Sequence, residues 1–276
     1  MPNNDPRLEH RLIHRCRQDG VHEVDDPVTV EEPMEIRVDG HSVAVVMRTP
    51  GDDLDLTRGF LLTEGIVSDR DDIFEISQCP SQTDDESRGN VVDVILTHPE
   101  AVDLEQLSRH VFTSSSCGLC GRATIESVFQ QFSPVVSDLA ISQELIMRLP
   151  DLLRSAQKTF AQTGGLHASA LFNNEGSLQT LREDVGRHNA LDKVIGSAWD
   201  RGWLPLKSHI LLVSGRISFE LTQKALCAGI PLIAGISAPS TLAIDCAEAG
   251  NQCLIGFLRD RGMNIYAHPE RVSAQS

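Results

Sequence analysis

Two cysteines stand three positions apart in the run Cys117-Gly118-Leu119-Cys120-Gly121, just after three serines. A C-x-x-C spacing lets two thiols meet at one point, where they hold a metal, close a disulfide or pass on a sulfur atom. The two glycines let the backbone turn tightly and leave the sulfurs uncovered. A helix opening just beyond them, with Arg122 nearby, would favour the thiolate. The plainer alternatives are two incidental thiols or half of a structural zinc site, and the latter needs two further ligands. No second C-x-x-C exists, and Cys246 and Cys253 fall in what read as a buried helix and a buried strand. Reactive sulfur is therefore the expected chemistry, with Cys117 and Cys120 as the candidate catalytic residues and no metal.

Four other runs carry residues suited to a site. Thr163-Gly164-Gly165-Leu166-His167-Ala168-Ser169 puts an imidazole beside glycines at a strand entrance, as either a site wall or a satisfied core histidine. The run from Arg182 to Lys193 gathers acids, bases, His188 and Asn189 within three helical turns. It reads either as an anion site at a helix N-terminus or as a solvated helix start with pairs such as Asn189/Lys193 and His188/Asp192. Leu212 to Ser218 is a strand followed by a tight Ser-Gly-Arg turn, and it is not a Walker A sequence. Gly256 to Gly262 places Arg259 and Arg261 after a strand, as a local positive spot or as a plain surface turn.

The elements that must position these residues follow from pattern. The 276 residues are 41% hydrophobic and 23% charged, with few aromatics, which favours an α/β core. Met34–Val38 and Ser42–Met47 alternate around Asp39-Gly40, a hairpin signal, and Leu54, Phe60 and Leu61 share a helix face. Val91–Leu96 reads as a strand, and Ser142 to Gln162 as a helix capped by Ser142 and stopped at Gly164-Gly165. Strands over 166–172, 178–181, 209–213, 231–236 and 252–258 then alternate with helices over 185–199, 219–228 and 241–249. That series predicts a sheet covered by helices, with turns gathered at the strands' carboxyl ends.

Charge and cysteine usage exclude several classes. A net charge of −15, from 39 acidic against 24 basic residues, repels phosphate backbones and argues against nucleic-acid binding. Any anionic ligand then needs a local arginine cluster, and Arg187 and Arg216 join Arg259 and Arg261 as candidates for it. The polar stretch Met1–Asp26 has no apolar signal segment, and no apolar run is long enough to span a membrane. Seven cysteines, an odd number, point to reduced thiols in a cytoplasmic protein rather than a disulfide scaffold.

Taken together, SSSCGLCGRATIE, TGGLHASAL, REDVGRHNALDKVIG, LVSGRISFELTQKAL and IGFLRDRGMNIYAH resemble the formate dehydrogenase accessory sulfurtransferase family, FdhD, from about Val28 to the end. The resemblance implies a sulfurtransferase that is loaded by a cysteine desulfurase with a persulfide on Cys117, with Cys120 assisting. Sulfur would pass to a molybdenum (or tungsten) bis-molybdopterin guanine dinucleotide cofactor, bound as sulfur acceptor, before its insertion into the formate dehydrogenase apoenzyme. The family's cofactor-binding stretch maps onto Phe257, Leu258, Arg259, Asp260, Arg261 and Gly262. The implied fold is α/β, a cytidine-deaminase-like sheet covered by helices, with a smaller α+β N-terminal subdomain, in a homodimer. The expected organisation is a disordered tail over 1–22, the subdomain over 23–112, a mobile cysteine loop over 113–137 and the main domain over 138–276. Two rivals are a zinc deaminase and a delivery chaperone without sulfur chemistry. The deaminase pattern needs H-x-E before P-C-x-x-C, whereas here position 169 is Ser and the cysteines precede His167. A thioredoxin-like oxidoreductase would carry its pair early in a βαβ unit.

Overall fold

The computed structural model describes residues 5–78, 89–99, 128–129, 131–259 and 262–274. Its first element is a two-stranded antiparallel ribbon, β1 (Leu8–Arg17) and β2 (Gly20–Thr29), in register from Leu8 opposite Thr29 to Arg17 opposite Gly20. Over residues 8–22 the ribbon stands where a disordered tail over 1–22 was expected, and it runs across the expected subdomain boundary at 23; residues 1–4 lie outside the described residues. Both faces of the ribbon are largely solvated, so its period-two pattern has no apolar side to betray it. Cross-strand pairs hold it instead, His10 with Asp25 at 2.8 Å and Arg15 with Asp26.

The hairpin predicted around Asp39-Gly40 forms from β3 (Glu32–Val38) and β4 (His41–Arg48). Both turn residues take positive φ, 48° and 79°, the conformation a tight hairpin requires. After Pro50 comes α1 (Asp53–Thr63), then β5 (Ile73–Gln78), which no clear apolar alternation marks, and β6 (Val91–Leu96). The small sheet runs β4-β3-β6-β5 and turns Met34, Ile36, Val38, Val92 and Val94 inward.

A two-residue strand, β7 (Ile141–Ser142), leads into α2 (Gln143–Ala156), where the Ser142 hydroxyl accepts from the Leu145 amide as anticipated. The helix ends earlier than expected. Glu183 takes the amides of Thr159 and Phe160 at 3.0 and 2.8 Å, and a separate short helix, α3 (Phe160–Thr163), stops at left-handed Gly164. Then come β8 (His167–Asn173), β9 (Leu178–Asp184), α4 (Arg187–Asp200), β10 (His209–Val213), α5 (Phe219–Cys227), β11 (Leu232–Gly235), α6 (Thr241–Ala249), β12 (Cys253–Arg259) and β13 (Gly262–Ala267). A last strand, β14 (Val272–Ser273), pairs with β7.

The large sheet is six-stranded, in the order β13-β12-β11-β10-β8-β9. β10, β11 and β12 are mutually parallel, while β8, β9 and β13 each run antiparallel to their neighbours. Its central strands are buried on both faces. Ala170, Phe172, Ile210, Leu212 and Ile255 pack on α2, whereas Leu171, Leu211, Ile233 and Leu254 face α4, α5 and α6. The second set shares one continuous core with the small sheet, through α1 and α4. Those two helices cross with almost no space between them. A Cβ on Gly59 would lie 1.9 Å from the Asp192 carbonyl oxygen, and one on Gly196 1.9 Å from that of Asp55.

Candidate functional site at one edge of the large sheet

Strand direction decides where the chemistry-bearing turns meet. The carboxyl ends of parallel β10, β11 and β12 lie at one edge; β8 enters there with His167, β9 leaves there with Asp184, and β13 starts there at Gly262. The edge is zipped by backbone bonds: Ser214 N donates to Ala168 O at 2.9 Å, Ile236 N to Val213 O at 3.1 Å, and Phe257 N to Ser237 O at 3.1 Å. The Ser214 hydroxyl also accepts from the Ala168 amide at 2.9 Å. Gly215 packs closely here: a Cβ would stand 3.2 Å from His167 Nδ1, so the imidazole would have to shift by a few tenths of an ångström. The expected gathering of turns is therefore present in four of the five runs singled out above.

The β9–α4 turn is the most heavily bonded part. Asp184, fully buried, accepts from Thr49 N at 3.1 Å, Gly186 N at 2.8 Å and Asn189 Nδ2 at 3.0 Å. Lys193 Nζ pairs with the same carboxylate at 2.8 Å and donates to Thr49 O at 2.8 Å. The Thr49 hydroxyl accepts from Val185 N at 3.2 Å, and Asn189 Nδ2 also reaches Met47 O at 2.7 Å. This overturns the reading of a solvated helix start. Residues 190–199 are buried throughout, and Lys193 and His188 do not pair with Asn189 and Asp192 as their spacing allowed. His188 Nε2 instead meets Glu220 at 2.7 Å and Ser218 Oγ at 3.3 Å.

Positive charge concentrates beside that turn. Arg187 opens α4 directly after Gly186, and no side chain caps the helix among the described residues. Burial, then the cationic Arg187, with smaller contributions from His188 and Arg216, hold the His167 pKa below its ordinary value against the pull of Asp184. His167 is thus a neutral imidazole near neutral pH. The bond from His188 lowers the pKa of Glu220 although burial opposes it. Two hollows are lined in part by residues of this edge. One, about 580 Å³, is lined by Phe160, Gly164, Gly165, His167, Ser214 and Ile236. The other, about 460 Å³, is lined by Phe60, Arg187, His188, Glu220 and Lys224. At its floor Lys224 contacts Thr63, Glu64 and Asp192 at 2.8–3.0 Å. Burial alone would lower the Lys224 pKa, but the two carboxylates overcome it and hold the ammonium above its usual range. Periodicity could not reveal this cluster, because Lys224 lies 160 positions from Glu64.

The other predicted residues fall as follows. Arg216 is exposed in the β10–α5 turn, and Arg259 is exposed at the end of β12, opposite Gly262. Beyond Ile255 the strand outruns its pairing with β11, and a register shift at Phe257, φ 52°, turns that ring outward into solvent. Leu258 is different: its side chain is wholly buried with the α2 core. From β8 to β12 is three strand spacings, about 14 Å. Cys117, Cys120, Asp260 and Arg261 lie outside the described residues. Of the remaining thiols, burial pushes Cys227 and Cys253 up to about 12 and Cys246 to about 11, which makes all three poor nucleophiles. No described helix is long and apolar enough to cross a membrane.

The model of the FdhD/NarQ family matches residues 29–273. "Sulfur carrier protein FdhD" of Mycobacterium tuberculosis is 46% identical over 273 residues, 96% of this chain and 98% of its own length. Its namesake in Streptomyces avermitilis is 47% identical, covering 97% and 96%, and that of Sulfolobus acidocaldarius 45% identical, covering 90% and 92%. Among solved structures, a chain from Desulfotalea psychrophila, provisionally described as a formate dehydrogenase accessory protein, superposes with TM-score 0.77 at 25% identity, covering 97% of this chain and all of the other. A match across nearly the whole length, with relatives so similar, shows that this chain belongs to the FdhD/NarQ family.

Proposed function

We propose that the chain is a sulfurtransferase that takes sulfur from a cysteine desulfurase onto Cys117 and passes it to a molybdenum (or tungsten) bis-molybdopterin guanine dinucleotide before that cofactor enters formate dehydrogenase. In the loading step the Cys117 thiolate attacks the outer sulfur of the desulfurase persulfide. The donor's S–S bond breaks, its cysteine leaves as thiolate, and a new S–S bond forms on Cys117 with no net oxidation. Cys120 assists as a second thiol. The acceptor carries several phosphates. The observation that best supports the reading is the sheet edge itself, where Arg187, Arg216 and Arg259 and the uncapped start of α4 stand in a chain of net charge −15. Arginine and backbone amides are the donors that phosphate oxygens take.

A cytidine-deaminase-like main domain, a cytoplasmic location and a homodimer belong to the same reading. The fold does not carry deaminase chemistry, since Ser169 stands where the acid–base glutamate would be needed. Cys117→Ala should abolish maturation of formate dehydrogenase while leaving folding unchanged. Normal maturation by that variant would leave only a delivery chaperone.

A further inference from the structure

We infer that Asp184, together with Thr49 and Asn189, is a positioning residue for the acceptor, aiming Arg187 and the first amides of α4; the inference rests on the reading of Arg187 as a phosphate contact. Asp184 cannot touch a ligand, because it is fully buried. It acts from beneath. Its two oxygens take four donors, from Thr49, Gly186, Asn189 and Lys193. All three polar groups of Thr49 are used in the same knot, its amide by Asp184, its carbonyl by Lys193 and its hydroxyl by Val185. Asn189 adds a tie to Met47, so the end of β4 in the small sheet is fastened to the start of α4.

That fastening has a local purpose. A helix start without a capping side chain frays in water, and α4 has only Gly186 there. The glycine is demanded by the knot: a Cβ would lie 2.8 Å from Asn189 Nδ2 and 3.3 Å from Asp184 Oδ1. Immediately beyond it, Arg187 Nε is buried with no hydrogen-bond partner among the described residues. A donor held away from water without an acceptor is costly unless a ligand supplies one. The knot below therefore holds in place an arginine whose Nε has no acceptor among the described residues.

The test is a double-variant cycle on the full chain, read by calorimetry with guanosine diphosphate as probe and by thermal unfolding. Asn189→Ala removes both ties of that side chain but keeps the Asp184–Lys193 pair, and should weaken the nucleotide about tenfold, the ~1.4 kcal/mol equivalent of that ratio. Arg187→Ala should weaken it at least as much. The combined variant should bind no more weakly than Arg187→Ala alone, because Asn189 acts through Arg187. Thr49→Val, which deletes only the hydroxyl, repeats the cycle should Asn189→Ala fail to fold. Unchanged affinity in Asn189→Ala overturns the inference, and so do losses that simply multiply, as a general loosening would produce. Unchanged affinity in Arg187→Ala removes the underlying phosphate contact and the inference with it.

Discussion

The buried Asp184–Lys193 pair should respond unequally to loss of its two halves. Lys193→Met leaves the Asp184 carboxylate with three donors, from Thr49 N, Gly186 N and Asn189 Nδ2, all within 3.1 Å. What disappears is one charge-assisted bond and a donor to Thr49 O, about 1.5–3 kcal/mol. Asp184→Asn is harsher. Lys193 Nζ, its side chain 1% exposed, then keeps one full partner, the Thr49 carbonyl at 2.8 Å. Stranding a buried charge in this way costs about 3–5 kcal/mol. The double variant removes both charges and should be more stable than Asp184→Asn alone. Urea unfolding followed by circular dichroism gives all three values. A Lys193→Met loss equal to or larger than that of Asp184→Asn, or a double variant less stable than the single, refutes this account of the turn.

Gly196→Ala drives a methyl into the Asp55 carbonyl, 1.9 Å away, and should destabilise the fold by ~3 kcal/mol or more; a near-native melting temperature means the helices cross less tightly. His167 should titrate by NMR below the ordinary 6.5, and Arg187→Ala should move that midpoint upward. Because the unfolded chain binds that proton more readily, this histidine's contribution makes stability fall as pH drops through the window just beneath 6.5, and a midpoint at or above 6.5 contradicts the reading. Replacing Arg259 and Arg261 together with alanine should weaken guanine nucleotide binding and flatten its salt dependence while Cys117 still accepts sulfur; unchanged calorimetric affinity means the acceptor lies elsewhere.

The alternation from β8 to β12 was legible because β8, β10, β11 and β12 are short, mostly apolar runs and the helices between them start at a serine or glycine, as at Ser240 and Gly186. The strands at 209–213 and 91–96 and the helix at 241–249 emerged with the expected limits. The ribbon is not legible in the sequence because neither of its faces is consistently apolar. α2 stopped early because of Glu183, a contact 23 and 24 residues away that no local pattern announces. The same holds at the site. Spacing marked the run from Arg182 to Lys193 as special, yet paired its side chains wrongly. His188 finds Glu220, and Lys193 finds Asp184 on the preceding strand. Phe257 and Leu258 were equivalent by motif, and only the register shift separates an outward ring from a core leucine.

Persulfide formation on Cys117 is the central claim. Intact-protein mass spectrometry after incubation with a cysteine desulfurase and cysteine tests it most directly, with peptide mapping to locate the adduct. The account predicts a gain of one sulfur atom on Cys117, reversed by a thiol reductant and missing from Cys117→Ala. An unmodified Cys117, or an equal gain in Cys117→Ala, contradicts it.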